Sequence, residues 1–457
     1  MSGPLPLEPR TGEDTLTLRL GDQRTLSLRL PRMRGREQEI DRLAAEMTEA
    51  LGPAVHSYEI AAMLESEGLT ADVIRERYGK KDLFALADAL YQRVPRAFPE
   101  PQAPRDPWRP DHLRCALRGA LFALPGLAHL LTAPLWQGTD AVPALVTAGL
   151  VSWAFGQALG HRAYLRLADG RREAGRTLLL GALAGAALAT AAGLAVAGPG
   201  PAAAFAAAQS VYLACAGVLL VLGRERLLLA ALTPLIGGAA ALLWWDAGAA
   251  VRIAVPLATV AATVAAAGFA LSRALAAPAA AHAARPRALL SVPYGLFGLA
   301  AGALVLSEGR TEPFAMIVLT VSMGPAEWLL YRYRGLSVAA LRSAATPSGF
   351  RRRSAGILLL CLAGYLLPLL PGALLVGADP ATLLALGATL WCALLLQAFG
   401  IAWPPALVCL AAACAVAVPA LASAPAQPLL LPASCGAASL VLVAWVLGRL
   451  GRPAAHT

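Results

Sequence analysis

The chain of 457 residues is 58% hydrophobic and only 14% charged, and these proportions exclude an ordinary soluble protein. Its net charge of +10 would suit nucleic acid, but residues 1–112 carry 16 basic and 19 acidic side chains, whereas residues 113–457 carry 22 and 9. The positive excess therefore belongs to the apolar part, and we interpret the chain as an integral membrane protein. Only two of the 38 basic residues are lysine, which is typical of a GC-rich genome such as an actinobacterial one.

The first hundred residues are polar and predict a small cytoplasmic domain, residues 1–93. Leucines alternate with polar residues on both sides of Gly21-Asp22, a pattern that predicts a β-hairpin within residues 15–31. Apolar residues recur at helical spacing between residues 36 and 93, and they predict helices over 36–51, 58–66 and 70–93. Six prolines in residues 94–112 predict a semi-rigid linker to the membrane.

Part of this domain, IAAMLESEGLTADVIRERYGKKDLF at residues 60–84, resembles the helix-turn-helix of TetR-type repressors. Gly68-Leu69-Thr70 matches the turn, and Ile74, Tyr78, Lys81 and Phe84 keep the register after it. Three extra residues precede the glycine, however, and Asp72 and Glu76 put carboxylates on the would-be recognition helix, where they repel phosphates. These departures favour docking of residues 1–93 to a cytoplasmic protein or to the protein's own arginine-rich loops over binding to nucleic acid.

Twelve apolar runs follow the linker, each near the length that crosses a bilayer. They predict an all-α integral membrane protein of about twelve transmembrane helices in two six-helix halves, residues 113–272 and 288–449. The runs lie at about 116–134, 142–160, 177–197, 201–222, 227–244, 251–271, 288–306, 313–331, 354–376, 381–402, 404–423 and 428–448.

Loop charge predicts the orientation, because positively charged loops stay in the cytoplasm. With the N-terminus inside, the outer connections hold only Arg252 and Arg310, and the inner connections hold eighteen arginines. We therefore expect a multi-pass protein of the plasma membrane with both termini in the cytoplasm. The eighteen are Arg162, Arg166, Arg171, Arg172, Arg176, Arg224, Arg226, Arg273, Arg285, Arg287, Arg332, Arg334, Arg342, Arg351, Arg352, Arg353, Arg449 and Arg452.

The two halves share an internal repeat at a constant offset of 170 residues. Because six is an even number of helices, two such units have the same orientation and would be related by an axis along the membrane normal, as in several transporter folds. The corresponding residues are Val151-Ser152, Gln157 and Arg162 in the first half, and Val321-Ser322, Glu327 and Arg332 in the second.

Two stretches resemble members of the multidrug, oligosaccharidyl-lipid and polysaccharide exporter superfamily. They are GQALGHRAYLRLADGRREAGRTLLLGALAG at residues 156–185 and YLACAGVLLVLGRERLLLAAL at residues 212–232. In that superfamily a glycine-containing helix end, a short basic loop with an Asp-Gly pair and another apolar helix recur. The resemblance spans residues 113–450 and implies two six-helix lobes around a cleft that opens alternately to the two sides and moves lipid-linked saccharides or amphipathic solutes.

Few polar groups lie within the predicted spans, and these are the candidates for transport or gating. Burying a polar group in a membrane costs free energy, so such groups usually remain in a span only where function requires them. They are His129, Gln157, Gln209, Glu327 and Gln397, of which Glu327 is the only carboxylate clearly inside a span. Two interpretations of Glu327 stay open: either its side chain snorkels to the membrane surface or pairs with a loop arginine, or it is a gate or substrate contact. Pro325 beside it would kink the span. We interpret His129 as a packed histidine with a backbone partner rather than as a proton relay.

The chemistry of an enzyme is not predicted, and neither is a cofactor or a metal. The seven cysteines lie in or beside apolar runs, without a CxxC motif or a Cys/His cluster of metal-ligand spacing. The loops contain no Ser/His/Asp set, phosphate-binding glycine loop or paired carboxylates.

Three functions stay open at this point. The first is a transporter that flips or exports a lipid-linked cell-envelope precursor, with membrane lipids and a lipid-linked saccharide as its partners. The second is a non-transporting membrane scaffold in envelope assembly or cell division, and the third is a membrane-tethered DNA-binding regulator. The two six-helix halves and the exporter resemblance favour the transporter.

Overall fold

A computed structural model describes residues 16–19, 25–28, 33–95, 108–136, 141–280, 286–421 and 429–456. The chain divides into two compact units, Met1–Arg105 and Asp106–Thr457. The boundary falls within the proline-rich segment that the sequence predicts as a linker, most of which lies outside the described residues.

The N-terminal unit contains one pair of short strands and a cluster of helices. Strands β1 (Leu16–Arg19) and β2 (Thr25–Leu28) are antiparallel, with Leu16 opposite Leu28 and Leu18 opposite Leu26. The turn at Gly21-Asp22 lies outside the described residues. The helices are α1 (Met33–Glu46), α2 (Thr48–Leu51), α3 (Ser57–Ser66), α4 (Ala71–Val73) and α5 (Leu83–Arg93).

The segment 70–93, predicted as one helix, is divided in the structure. Helix α4 continues as a π-helical turn over Ile74–Tyr78, and Gly79 then ends it with a φ of +66°, a conformation that favours glycine. Asp82 starts the next helix, α5, because its side chain accepts a hydrogen bond of 2.7 Å from the backbone N–H of Ala85. Ile74 remains buried against α3 and α5 in one apolar core.

All twelve predicted apolar runs are helical in the structure. Among the described residues nine helices are long and apolar enough to cross a membrane, so the protein is a multi-pass membrane protein. The helices are α6 (His112–Ala123), α7 (Gly126–Thr132), α8 (Ala141–Asp169), α9 (Arg171–Ala197), α10 (Pro201–Val221), α11 (Glu225–Ala241), α12 (Ala249–Leu275), α13 (Val292–Thr311), α14 (Ala315–Val321), α15 (Met323–Ser343), α16 (Pro347–Val376), α17 (Pro380–Ala398), α18 (Trp403–Leu421) and α19 (Leu430–Leu450).

Three of the twelve runs differ from the nine spanning helices, and the full number of twelve spans stays a prediction. Helix α11 has only 17 residues and contains Pro234. The eighth run is interrupted between α14 and α15. The eleventh run, in α18, offers a shorter apolar helix over Trp403–Pro419.

Two of the runs are broken near their middle, and a proline accounts for each break. Pro325 has no backbone N–H to donate to the carbonyl of Val321, and the helix is interrupted at Ser322, between α14 and α15. Pro125 separates α6 from α7 in the same way. The helix is therefore interrupted close to the position at which Pro325 predicts a kink, and the break in the first run was not predicted.

The two predicted halves meet through two crossed pairs of helices. The first run (α6) packs against the eighth (α14 and α15), and the second run (α8) packs against the seventh (α13). If each half is a six-helix unit, a two-fold axis along the membrane normal exchanges run 1 with run 7 and run 2 with run 8. A contact between runs 1 and 8 then requires an equivalent contact between runs 7 and 2, which is the pairing observed. This pairing supports the repeat, although the breaks fall in the first run of one half and the second run of the other.

Candidate functional site: an ion-pair cluster between the membrane halves

The candidate site lies at one end of the membrane unit. We call this end, at which α6, α9, α11 and α13 begin, the arginine-rich end, because the arginines that surround these helix starts include Arg162, Arg166, Arg171, Arg172, Arg176, Arg224, Arg226, Arg287 and Arg334.

Arg118, on the second turn of α6, binds one carboxylate from each half. Its Nη1 donates to Oε1 of Glu327 on α15 over 2.6 Å, and its Nε donates to Oε1 of Glu225, at the start of α11, over 3.1 Å. Arg114, one turn earlier on α6, donates to the same Glu225 oxygen over 2.8 Å. The Arg118–Glu327 pair therefore joins the two halves, and the Glu225 contacts hold Arg118 within its own half. We call these four side chains the inter-half cluster.

The inter-half cluster is electrically balanced and withdrawn from water. Two arginines meet two glutamates, and the side chains of Arg118, Glu225 and Glu327 are only 16%, 8% and 21% exposed. Charges buried this far remain ionised only when paired, so each member depends on the others. Arg114 is half-exposed and links the cluster to solvent.

A glycine crossing lies directly beside the cluster. A Cβ atom at Gly324 of α15 would lie 2.8 Å from the carbonyl oxygen of Cys115 on α6, and a Cβ atom at Gly119 would lie 3.0 Å from the carbonyl oxygen of Val321. Val321 is the residue whose carbonyl Pro325 leaves without its helical donor. Only glycine lets these two backbones come this close, and the close approach places Arg118 within reach of Glu327.

The second seam between the halves, α8 against α13, has the same character. His161 on α8 stacks on Tyr294 of α13 with ring centroids 3.8 Å apart, and its Nδ1 lies 3.1 Å from the Ser291 hydroxyl. Further along, a Cβ atom at Gly298 would lie 2.8 Å from Cγ of Gln157, so glycine again permits the contact. Both seams thus combine small residues with polar contacts near the arginine-rich end.

Of the six candidate residues, the five polar groups and Pro325, the structure brings three to these seams. Glu327 pairs across the halves, Pro325 sets the break that precedes it, and Gln157, the repeat counterpart of Glu327, lies against Gly298. His129 lies apart on α7, where it is exposed and touches the Phe205 ring edge to face, with centroids 5.6 Å apart.

Three charged residues that matter here were not predicted. Arg118 and Glu225 carry no sequence signal that pairs them, although Arg114 and Arg118 sit four residues apart, on one face of the first helix. The third is Glu308, since α13 extends to Thr311 and buries this carboxylate to 3% exposure. Among the described residues, no group of three or more histidine, cysteine, aspartate or glutamate side chains could hold a metal ion.

In the N-terminal unit, the segment resembling a repressor motif forms a helix, a turn and a second short helix. Gly68 has a φ of +78° in the turn between α3 and α4, and Asp72 on α4 is largely exposed beside Arg75. The predicted carboxylates therefore face solvent, and the DNA-binding interpretation gains no support from their placement.

Comparison with known proteins gave one structural similarity. No family model matches the sequence, and no curated protein matches it. Among solved structures, a transporter of the MOP superfamily from Pyrococcus furiosus, described as having a binding pocket of reverse polarity, is 14% identical with a TM-score of 0.41 over 75% of this chain and 98% of that chain. A TM-score this low does not establish a shared fold, so the contacts between helices carry the functional reasoning.

Proposed function

We propose that this protein is a membrane transporter in which the two halves separate and rejoin at the arginine-rich end. The observation that carries the proposal is the partly buried Arg118–Glu327 ion pair, which joins the halves beside a glycine crossing. A contact of this kind has two discrete states, because a buried pair either closes with good geometry or separates and hydrates both charges. The inter-half cluster therefore acts as a gate.

The arrangement of Glu225 suits such a gate. When the halves part, Arg118 loses Glu327 but keeps Glu225, so the arginine is never left buried without a partner. Glu327 lies in the first turns of α15, level with the second turn of α6, and reaches water when the halves separate. Because Arg118 keeps one carboxylate, opening this gate costs less free energy than separating an ion pair that has no third member.

The substrate we propose is a lipid-linked cell-envelope precursor. The exporter resemblance of residues 156–185 and 212–232 supports this class, and arginines bind the phosphate groups of such lipids through paired N–H donors. In this proposal the arginine-rich end faces the cytoplasm, where such precursors are assembled, and both termini lie there.

A depletion strain tests the function. We expect lipid-linked precursors to accumulate when the protein is depleted, and proteoliposomes with the purified protein to move the accumulated precursor across the bilayer. A matched control locks the gate closed by a cross-link. Trp328 donates to Nδ1 of His112 across the halves over 2.9 Å. In a cysteine-free variant, His112→Cys and Trp328→Cys can therefore be bridged by a bifunctional thiol reagent. Bridging is expected to stop transport, and unchanged precursor levels together with no movement in proteoliposomes contradict the proposal.

Orientation is tested separately by cysteine labelling of intact cells. In a cysteine-free variant, a membrane-impermeant maleimide is expected to label Trp244→Cys, which replaces a side chain 83% exposed between α11 and α12. Arg226→Cys, at the arginine-rich end, is expected to react only after the cells are permeabilised. The opposite pattern would place the arginine-rich end outside and overturn the proposed direction of the gate.

One observation favours the scaffold as a second candidate. The N-terminal unit exposes an apolar patch of Val55, Tyr58 and Phe84, with the Tyr58 and Phe84 rings edge to face at 5.7 Å. Exposed aromatic side chains are typical of protein-binding surfaces. If Tyr58→Ser with Phe84→Ser abolishes the localisation of the protein within the cell envelope while transport in proteoliposomes continues, the scaffold role is the one that the cell uses.

A further inference from the structure

A second arginine cluster, which shares no residue with the inter-half cluster, lies where α19 ends beside the start of α16. Arg449 and Arg452 line an open groove of ≈ 270 Å³ together with Ala444, Trp445 and Gly448. Arg351 of α16 approaches the same place, since a Cβ atom at Gly451 would lie 3.4 Å from its Cγ. The neighbouring helix ends are also joined by Ser354, whose hydroxyl donates to the Leu450 carbonyl over 3.4 Å.

These arginines carry positive charge that the described part of the chain leaves unbalanced. Arg351, Arg449 and Arg452 are exposed, and within the described residues none of the three forms an ion pair with a carboxylate. The Arg449 guanidinium lies 5.2 Å from the centre of the Trp445 ring, which orients it at the groove. This contrasts with Arg114, Arg118 and Arg166, each of which meets a carboxylate within 2.8 Å or less.

The groove continues into an apolar face of α19. Val441, Trp445 and Gly448 follow one another at spacings of four and three residues, so they lie on one side of the helix, and Arg452 follows just beyond its end. Val441 is 45% exposed on this side, and Gly448 leaves open space because nothing lies within 4 Å of its Cβ position. The order of these side chains along α19 matches the order of the parts of a lipid: the arginines lie where the headgroup would be, the tryptophan at the interface, and the exposed apolar stripe along the acyl chain.

We propose that this groove binds an anionic phospholipid, with the phosphate on Arg449 and Arg452 and an acyl chain along the Val441 face. Free phosphate uses only the arginines, and a soluble acidic protein has no use for an exposed stripe that lies within a membrane-spanning helix. An anionic phospholipid uses both features. The site holds a lipid of the surrounding membrane and is separate from the inter-half cluster, so it does not depend on the transport proposal.

The test measures lipid binding to the purified full chain in a neutral detergent by native mass spectrometry. We expect phosphatidylglycerol to bind at least tenfold more tightly than phosphatidylcholine, and inorganic phosphate not to compete at matched concentration. The double variant Arg449→Gln/Arg452→Gln is expected to weaken phosphatidylglycerol binding about 25-fold, from roughly fivefold for each basic residue at an anionic membrane surface.

Two further variants keep the result decisive. Arg224→Gln/Arg226→Gln makes the same charge change at exposed residues of the arginine-rich end, and it is expected to leave the affinity within about twofold. Gly448→Leu fills the groove without changing charge and is expected to weaken binding at least fivefold. Equal losses in both arginine double variants, full affinity in Gly448→Leu, or equal competition by inorganic phosphate would each overturn the proposal.

Discussion

Arg118→Gln is expected to destabilise the membrane unit by about 3 kcal/mol, the lower end of the range for removing one partner of a buried ion pair. Glu327 then loses its charged partner in a site where only 21% of its side chain is exposed, and Glu225 retains only Arg114. The free energy of unfolding in detergent, measured by denaturant titration, reports the loss. Arg176→Gln removes a half-exposed partner of Glu173 and serves as the matched control, with an expected cost below about 1 kcal/mol.

The double variant Arg118→Gln/Glu327→Gln makes this prediction specific to the pair. Because the unpaired carboxylate is gone, the double variant is expected to be more stable than Arg118→Gln alone, and the difference measures the coupling between the two side chains. Additive losses in the two single variants would mean that Arg118 acts through Glu225 alone. The inter-half cluster would then be a fixed part of the first half and no gate.

Gly324→Ala is expected to cost about 1–3 kcal/mol, the usual cost of overpacking a close contact. The added methyl group would lie 2.8 Å from a backbone oxygen of α6, and a backbone atom cannot move aside as the end of a flexible side chain can. The halves must therefore part at the arginine-rich end. In a variant that retains only Cys115, which is buried at the crossing, the expected readout is faster reaction with a water-soluble maleimide.

Gly160→Ala is the control for this experiment. Gly160 also lies in a membrane helix, α8, but its Cβ position has nothing within 4 Å, so the alanine is expected to be neutral or slightly stabilising. If Gly324→Ala leaves both the stability and the reactivity of Cys115 at the level of Gly160→Ala, the two seams are not tight and the closed gate is wrong.

The sequence predicted the membrane class well because hydropathy depends only on local composition. Among the described residues, nine of the apolar runs form helices long and apolar enough to cross a membrane, and the break beside Glu327 followed from Pro325, whose effect is confined to its own helix. The partner of Glu327 was beyond prediction, since Arg118 lies 209 residues away and meets it only after two helices from different halves cross. Pairing with an arginine was foreseen, but a loop arginine was expected and a helix arginine was found.

Small residues explain why the crossing itself was missed. Glycine is abundant throughout the chain, with 42 residues, so Gly119 and Gly324 do not stand out in the sequence. Their role becomes visible only from the 2.8 to 3.0 Å separations that an added Cβ would have across the seam. The length of α13 was likewise underestimated, because Ser307, Glu308 and Arg310 resemble a loop although the helix continues to Thr311.

The most direct test of the gate is a distance measurement between the two halves. Spin labels at Arg226→Cys and Arg342→Cys, in an otherwise cysteine-free chain reconstituted in lipid, report the separation of the halves at the arginine-rich end by double electron–electron resonance. With the Arg118–Glu327 pair intact we expect one dominant short distance, and with Arg118→Gln/Glu327→Gln a second, longer population. One identical distance distribution in both proteins would contradict a gate that opens by breaking this ion pair.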